Sequence, residues 1–294
     1  MENGSNGDGG QDRIYVMADV EDTSEQNRLD LQHRMWVLTF DGKLHTTPLS
    51  SGITSILDLG TGTGIWANAV AKKFPNADVV ATDLVLPSAK DDAPTNVRYI
   101  QHNADDAEWT LFKDGQFDFI HARMITSGIH DWPGLRAKCY KHLKPGGRLE
   151  IIDMSHPLRA VESARDSKES SALIKFVHLA GESWRRDGLD YSVTGKQIAG
   201  LEKVGFEDIN EQSFRWPIGT WPDNEREKKI GLLAKGNVEK FLTLAGKHIL
   251  TNKDFMDDVG ADEAIAAAAQ DLSETESRKY YYVMKVHSAR KPIH

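Results

Sequence analysis

The chain has 294 residues, 39% of them apolar and 27% charged, enough to build one substantial domain and too apolar for a disordered or fibrous chain. A formal net charge of -8, with no concentrated run of Lys and Arg, argues against nucleic acid and against anionic membrane as ligands. One cysteine, Cys139, rules out an intrachain disulfide or a multi-cysteine zinc site. With no apolar run of bilayer length and no signal-peptide pattern at the start, a cytoplasmic or nuclear, non-secreted protein is expected.

Residues 1–12 are rich in Gly and Asn with nothing to pack and read as a disordered tail, followed by a cap segment at 13–50. From Thr23, "TSEQNRLDLQHRMWVLTF" sets Leu29, His33, Trp36, Val37 and Phe40 near one helical face, with Thr23 or Ser24 able to cap the start. The main domain is expected over 51–294. There "ITSILDLG", "ADVVATDL", "VRYIQHN", "FDFIHARM" and "GRLEIIDM" read as strands, with helices "GIWANAVAKKF" and "WPGLRAKCYKHL" between them. That alternation predicts a doubly wound, mostly parallel sheet. "LKPGG" at Leu143–Gly147 reads as a helix stop and turn. After Asp153 the pattern loosens into helices "ALIKFVHLAGESWRRDG" and "TGKQIAGLEKVGF", and a helical insertion is expected at about 223–275. The segments "FEDINEQSFRW" and "YYYVMKV" on either side of it can pair antiparallel.

Gly60, Gly62 and Gly64 follow the first strand as G-x-G-x-G, whereas a dinucleotide fingerprint needs its third glycine where Ile65 stands. The spacing suits backbone passing close under a nucleoside that carries an amino-acid tail. Asp83 ends the next strand, where a carboxylate can accept bonds from both ribose hydroxyls.

From about Ile53 to Asp153 the sequence resembles the class I S-adenosylmethionine-dependent methyltransferases, with "LDLGTGTG", "ATDL", "VRYIQHNADD", "FDFIHARM" and "HLKPGGRLEI" in the family's motif order. The resemblance implies a Rossmann-like, seven-stranded, mostly parallel sheet with an antiparallel last strand. It places Gly60, Thr61, Gly62 and Gly64 along the methionine part of S-adenosylmethionine and Asp58 under its ammonium. Asp83 falls on the ribose, Leu84 and Ala104 on the adenine faces, and Asn103, or Asp105 in another register, on the adenine edge. S-adenosylhomocysteine would be the product.

The flanking segments "RLDLQHRMWVLTFDGKLHTTPL", "IHARMITSGIHDWP" and "GFEDINEQSFRWPIGTWPDNEREKKIG" are similar to the fungal LaeA-like methyltransferases of secondary metabolism. That group implies methylation of small molecules, or regulation with velvet-type protein partners. Tyr15, Gln32 and His33 are candidates for the inner face of the N-terminal cap, with His33 as a packed interfacial histidine the alternative. Trp184, Trp216 and Trp221 fall in segments that can cap a substrate pocket or simply fill a core.

Methyl transfer from a sulfonium needs alignment in a water-poor pocket, and a phenol acceptor with pKa near ~10 gains from a base. Candidates lie at or past strand C-termini: His130 as base, Arg123 to orient an anion, and His156, with His121 offering its backbone to the cofactor. Alternatively His130 caps the next helix and Arg123 pairs with Asp131 or Asp153. No HExxH, Cys/His cluster or G-x-S-x-G elbow occurs, so no metal is expected. The expected function is O- or N-methylation of a small aromatic or polyketide-like metabolite. The alternatives are a regulatory protein acting through protein partners, and a cofactor-retaining, non-methylating catalyst such as a pericyclase.

Overall fold

The computed structural model describes residues 23–87, 93–161 and 171–294. Tyr15 and residues 1–12 lie outside the described residues.

A 17-residue helix, α1 (Thr23–Thr39), leads into β1 (Ser55–Leu59), α2 (Ile65–Lys73), β2 (Asp78–Asp83), β3 (Val97–Gln101) and β4 (Phe117–Arg123). Because α1 begins at Thr23, Ser24 lies inside the helix. Then come α3 (Trp132–His142), β5 (Leu143–Ala160), α4 (Ala172–Arg186), α5 (Gln197–Val204) and β6 (Glu207–Pro217). The helices α6 (Glu225–Leu244), α7 (Gly246–Thr251) and α8 (Asp258–Ser273) precede β7 (Tyr280–Arg290).

Among the described residues seven strands form one sheet in the order β3-β2-β1-β4-β5-β7-β6. The first five pair in parallel, and β7 runs antiparallel to both of its neighbours. The expected seven-stranded, mostly parallel sheet with an antiparallel last strand is therefore present. The expected pairing of "FEDINEQSFRW" with "YYYVMKV" is also present, as Phe214 opposite Met284 and Trp216 opposite Tyr282.

Alternation along the buried strands splits them between two layers. Ile56, Val79, Ala81 and Phe119 face Trp66, Ala67 and Val70 of α2. Leu57, Leu59, Val80 and Ile120 face Leu135 and Cys139 of α3. A third core gathers Met35 and Trp36 of α1, Phe176 and Ala180 of α4, Leu242, Ile249 and Leu272 of the helical insertion, and Met284 and Val286 of β7. Local chemistry starts the helices where it should: Asp131, Ser171, Asn224 and Asp257 each accept a backbone N–H in the first turn of α3, α4, α6 and α8.

Two sequence expectations need correction. "LKPGG" is not only a turn, since β5 starts at Leu143, paired to Phe117 across a register shift. The strand also continues past Asp153 to Ala160 because β7 supplies a partner, with Ser155 opposite Val283 and Arg159 opposite Tyr281.

Candidate active site

In strand order the chain moves outward from β1 to β3 and then returns beside β1 with β4, so the loops leaving β1 and β4 diverge and open a crevice at their C-terminal ends. A cavity of about 900 Å³ occupies that crevice, roofed by α1. Asp58, Gly60, Thr61, Gly62, Asp83, Leu84, Asn103, Ala104, His121 and Arg123 all line it. Gly64, expected among them, instead starts α2 beneath Tyr99.

The glycine loop turns with positive φ at all three glycines: 67° at Gly60, 56° at Gly62 and 72° at Gly64. At two of them a side chain would also collide. A Cβ on Gly60 would stand 2.6 Å from Ile125 Cγ2, and one on Gly64 2.4 Å from the Tyr99 hydroxyl. At the glycines the backbone can therefore run under a ligand with no side chain between them.

Asp58 is fixed from both sides. Its Oδ2 accepts from the Thr61 hydroxyl at 2.7 Å, and its Oδ1 lies 2.7 Å from His121 Nδ1. The His121 ring stacks on Trp66 at 3.7 Å, so the imidazole braces Asp58 rather than offering only its backbone. Asp83 Oδ2 accepts from Gly62 N at 2.7 Å, which ties the acid to the loop. Burial pushes its carboxyl above the ordinary range, opposed by the N–H bonds from Gly62 and Val85.

Of the two adenine-edge candidates, Asn103 faces the cavity and Asp105 does not. The Asn103 Oδ1 accepts from Asp105 N at 2.9 Å. Asp105 turns under the start of α3, taking bonds from His130 N, His130 Nδ1 and Asp131 N at 3.1, 3.0 and 2.9 Å. His130, held there with 38% of its side chain exposed, lines neither this cavity nor the next. Nor does it cap α3, because Asp131 does.

Arg123 lines the first cavity with no ion pair to Asp131 or Asp153, which are engaged elsewhere. Its Nη2 donates to His33 Nδ1 at 3.3 Å. Burial lowers the guanidinium to about 10, with Asp58 and Glu150 opposing. Burial, then Arg123, lowers His33 to about 4, so its imidazole is neutral and accepts at Nδ1. His33 is thus an interfacial histidine with a defined partner.

A second cavity of about 980 Å³ adjoins the first beneath α1, and Leu29, Gln32 and Met124 line both. Its wall is aromatic: Phe176, Trp184, Tyr191, Trp216, Phe241 and Tyr282. His156 lies there, stacked on Tyr191 at 3.8 Å, and burial lowers it to about 3. Trp221 is not in the wall; its Nε1 donates to Tyr280 O at 3.2 Å.

Sequence reasoning passed over Met124, Tyr191 and Tyr282, and gave Asp153 no role beyond a possible pair with Arg123. Met124 has φ 57°, an unusual value for a side chain of its size, and the signal at Asp153 was its place near the end of the apolar run "GRLEIIDM". Among the described residues no group of three or more His, Cys, Asp or Glu is placed to hold a metal, and no helix is long and apolar enough to cross a membrane.

The family model described as a methyltransferase domain matches residues 23–209. Methyltransferase pytC of Aspergillus terreus is 31% identical over 74% of this chain and 65% of its own length, so the chain spans slightly under two thirds of that relative. Secondary metabolism regulator LAE1 of Cochliobolus heterostrophus is 34% identical over 71% of this chain and 68% of its own. Secondary metabolism regulator laeA of Aspergillus fumigatus is 28% identical over 100% of this chain and 77% of its own.

Proposed function

This chain belongs to the methyltransferase-domain family, carrying an S-adenosylmethionine-dependent domain of the LaeA-like, secondary-metabolism kind, and from that premise we propose that it methylates O or N of a small, flat, largely apolar molecule. The observation that carries the reading is the pair of cavities with a shared wall at Leu29, Gln32 and Met124, which lets a donor and an acceptor lie side by side.

The residues of the first cavity fit the cofactor. The side-chain-free loop at Gly60 and Gly62 admits its amino-acid part, and Asp83 offers a carboxylate to the ribose. Asn103, Leu84 and Ala104 form the adenine end. Arg123, a part-buried cation bonded among the described residues only to a neutral histidine, suits the cofactor's carboxylate. Its assignment therefore moves from the acceptor to the cofactor. When bound, the cofactor supplies an electrophilic methyl group on a sulfonium. The protein aligns the acceptor and excludes water with the aromatic wall and α1.

Calorimetry with S-adenosylmethionine and S-adenosylhomocysteine tests the reading, comparing wild type with Gly62→Arg and Asp83→Ala. Micromolar binding that both variants lose supports it, and no binding by folded wild type refutes it. A regulatory role is the second reading, favoured by the regulator names of LAE1 and laeA and by an apolar surface between α1 and α6 that includes Leu232, 62% exposed. Turnover of a small acceptor with release of S-adenosylhomocysteine would separate the two.

A further inference from the structure

The second cavity is poor in charge, and the little it has is arranged unevenly. Among the described residues two ionised side chains line it, Arg28 and Asp153. Arg28 is neutralised by Glu25, with Nε and Nη2 each 2.6 Å from a carboxylate oxygen and both residues buried. Among the described residues Asp153 has no such cation. Its Oδ2 accepts from Thr126 N at 3.0 Å and from the Thr126 hydroxyl, and its Oδ1 accepts from Met154 N at 2.8 Å. These donors are neutral, so they orient the carboxylate without cancelling its charge.

Asp153 also sits beside the seam between the cavities. The preceding residue, Ile152, accepts from Met124 N at 2.8 Å, and Met124 lines both spaces. On the same wall His156 Nδ1 is buried without a hydrogen-bond partner among the described residues. The other titratable groups around Asp153 are committed or neutral. Lys285, its register partner on β7, is 2.7 Å from Glu211; burial keeps His156 unprotonated and pushes the Tyr191 and Tyr282 hydroxyls up.

We propose that the acceptor is a neutral, flat hydroxyarene or enol, and that Asp153 takes its hydroxyl proton during methyl transfer. This rests on the methyltransferase reading above. An ionised acid is disfavoured because its charge would face Asp153 in an apolar cavity whose one cation is already paired. The proton leaves the acceptor oxygen for an Asp153 oxygen, and the electron pair left behind forms the bond to the incoming methyl carbon. The pair of the broken carbon–sulfur bond stays on sulfur, and Asp153 later releases the proton to solvent. The carboxyl is raised to about 6 by burial, with the Thr126, Met154 and Ile125 contacts opposing, so it is ionised at neutral pH and a stronger base than an ordinary aspartate.

The test uses 2-naphthol, a hydroxyarene whose neutral and anionic forms emit differently and which readily gives up its proton when excited. Titrated into the full chain with S-adenosylhomocysteine present, it should bind and emit as naphtholate at pH 8, reverting to neutral emission with a midpoint near 6. Asp153→Asn should bind within about threefold of wild type but emit as neutral naphthol throughout. With S-adenosylmethionine, its rate of methyl ether formation should be at least ~100-fold lower. Binding of 2-naphthoate should be at least tenfold weaker than that of 2-naphthol. Neutral emission from wild type, an unchanged emission profile in Asp153→Asn, equal affinity for naphthoate, or no binding at millimolar naphthol overturns the proposal. If the variant fails to fold, the wild-type pH titration decides alone. Calorimetry of S-adenosylhomocysteine in the same samples reports separately on the underlying reading.

Discussion

Replacing Trp216 tests whether α1 is held on the domain by one aromatic contact set. Trp216 projects from β6 with 3% of its surface exposed, its ring centroid 4.5 Å from Trp36 of α1. Trp36 in turn meets Phe40 at 5.3 Å, and Phe40 meets Phe214 at 5.4 Å. The Trp216 indole N–H donates to the Thr39 hydroxyl at 2.7 Å, and that hydroxyl donates to Met35 O. Truncation to alanine removes a buried indole, worth roughly 3–5 kcal/mol, within which the ring pair contributes about 1 and the hydrogen bond about 1. Trp216→Phe keeps a ring but loses the N–H and should cost only about 1–2 kcal/mol. Urea unfolding followed by far-ultraviolet circular dichroism measures both. Because Leu29 and Gln32 of α1 line both cavities, Trp216→Ala should also weaken S-adenosylhomocysteine binding at least ~tenfold, which corresponds to about 1.4 kcal/mol. A loss below ~1 kcal/mol in stability, or full destabilisation with unchanged affinity, would refute the dependence of the site on this contact.

Asp153 and His156 should pull stability in opposite directions with pH. The Asp153 carboxyl is raised to about 6, so the folded state holds a proton that the unfolded chain has released, and this contribution fades as pH rises from about 4 to 6. At about 1.4 kcal/mol per pH unit it is worth up to ~3 kcal/mol, and Asp153→Asn should remove it. His156 is lowered to about 3, so its contribution is complete above about 6.5 and is lost as pH falls below that; His156→Phe should flatten the acid side of a stability–pH curve. Curves identical to wild type in both variants would contradict these assignments. Gly60→Ala forces a φ of 67° on a side chain and sets its Cβ against Ile125, so a loss of about 1–3 kcal/mol with at least ~tenfold weaker S-adenosylhomocysteine binding is expected by calorimetry. Glu150 is fully buried, and its Oε2 accepts from the backbone N–H and hydroxyl of both Thr46 and Thr47; Glu150→Ala should cost about 3 kcal/mol and speed amide exchange at Thr46 and Thr47.

What could be read from the sequence was what local backbone chemistry determines. Three closely spaced glycines after an apolar run, and an acid ending the next strand, require neighbours only a few positions away, and in the structure the loop and Asp83 are joined by a hydrogen bond at Gly62. What could not be read depends on contacts between distant segments. The extension of β5 beyond Asp153 exists because β7 lies beside it, and Ser155 cannot announce a partner at Val283. His130 looked like a base on a loop because Asp105, 25 positions earlier, gave no sign that it would hold that imidazole. The second cavity is drawn from α1, β5, α4, α6, β6 and β7, so its aromatic residues share no motif. Helical spacing pointed to the α1 face of Leu29, Trp36 and Phe40, but it carried no hint that Arg28 and Glu25 would be buried as a pair.

The place of β7 in the sheet also constrains how the protein is made. During synthesis every other strand leaves the ribosome before Tyr280–Arg290, yet this last strand fits between β5 and β6 rather than at an edge. Until it arrives, β5 shows an open edge over much of its 18 residues, and β6 has no partner on the side β7 will fill. The nascent chain therefore carries an unpaired β5 edge, a slot that the same strand from a neighbouring molecule can also fill. Crowded or slow synthesis should favour strand-exchanged dimers, and a separately supplied 280–290 peptide should compete with them for the slot.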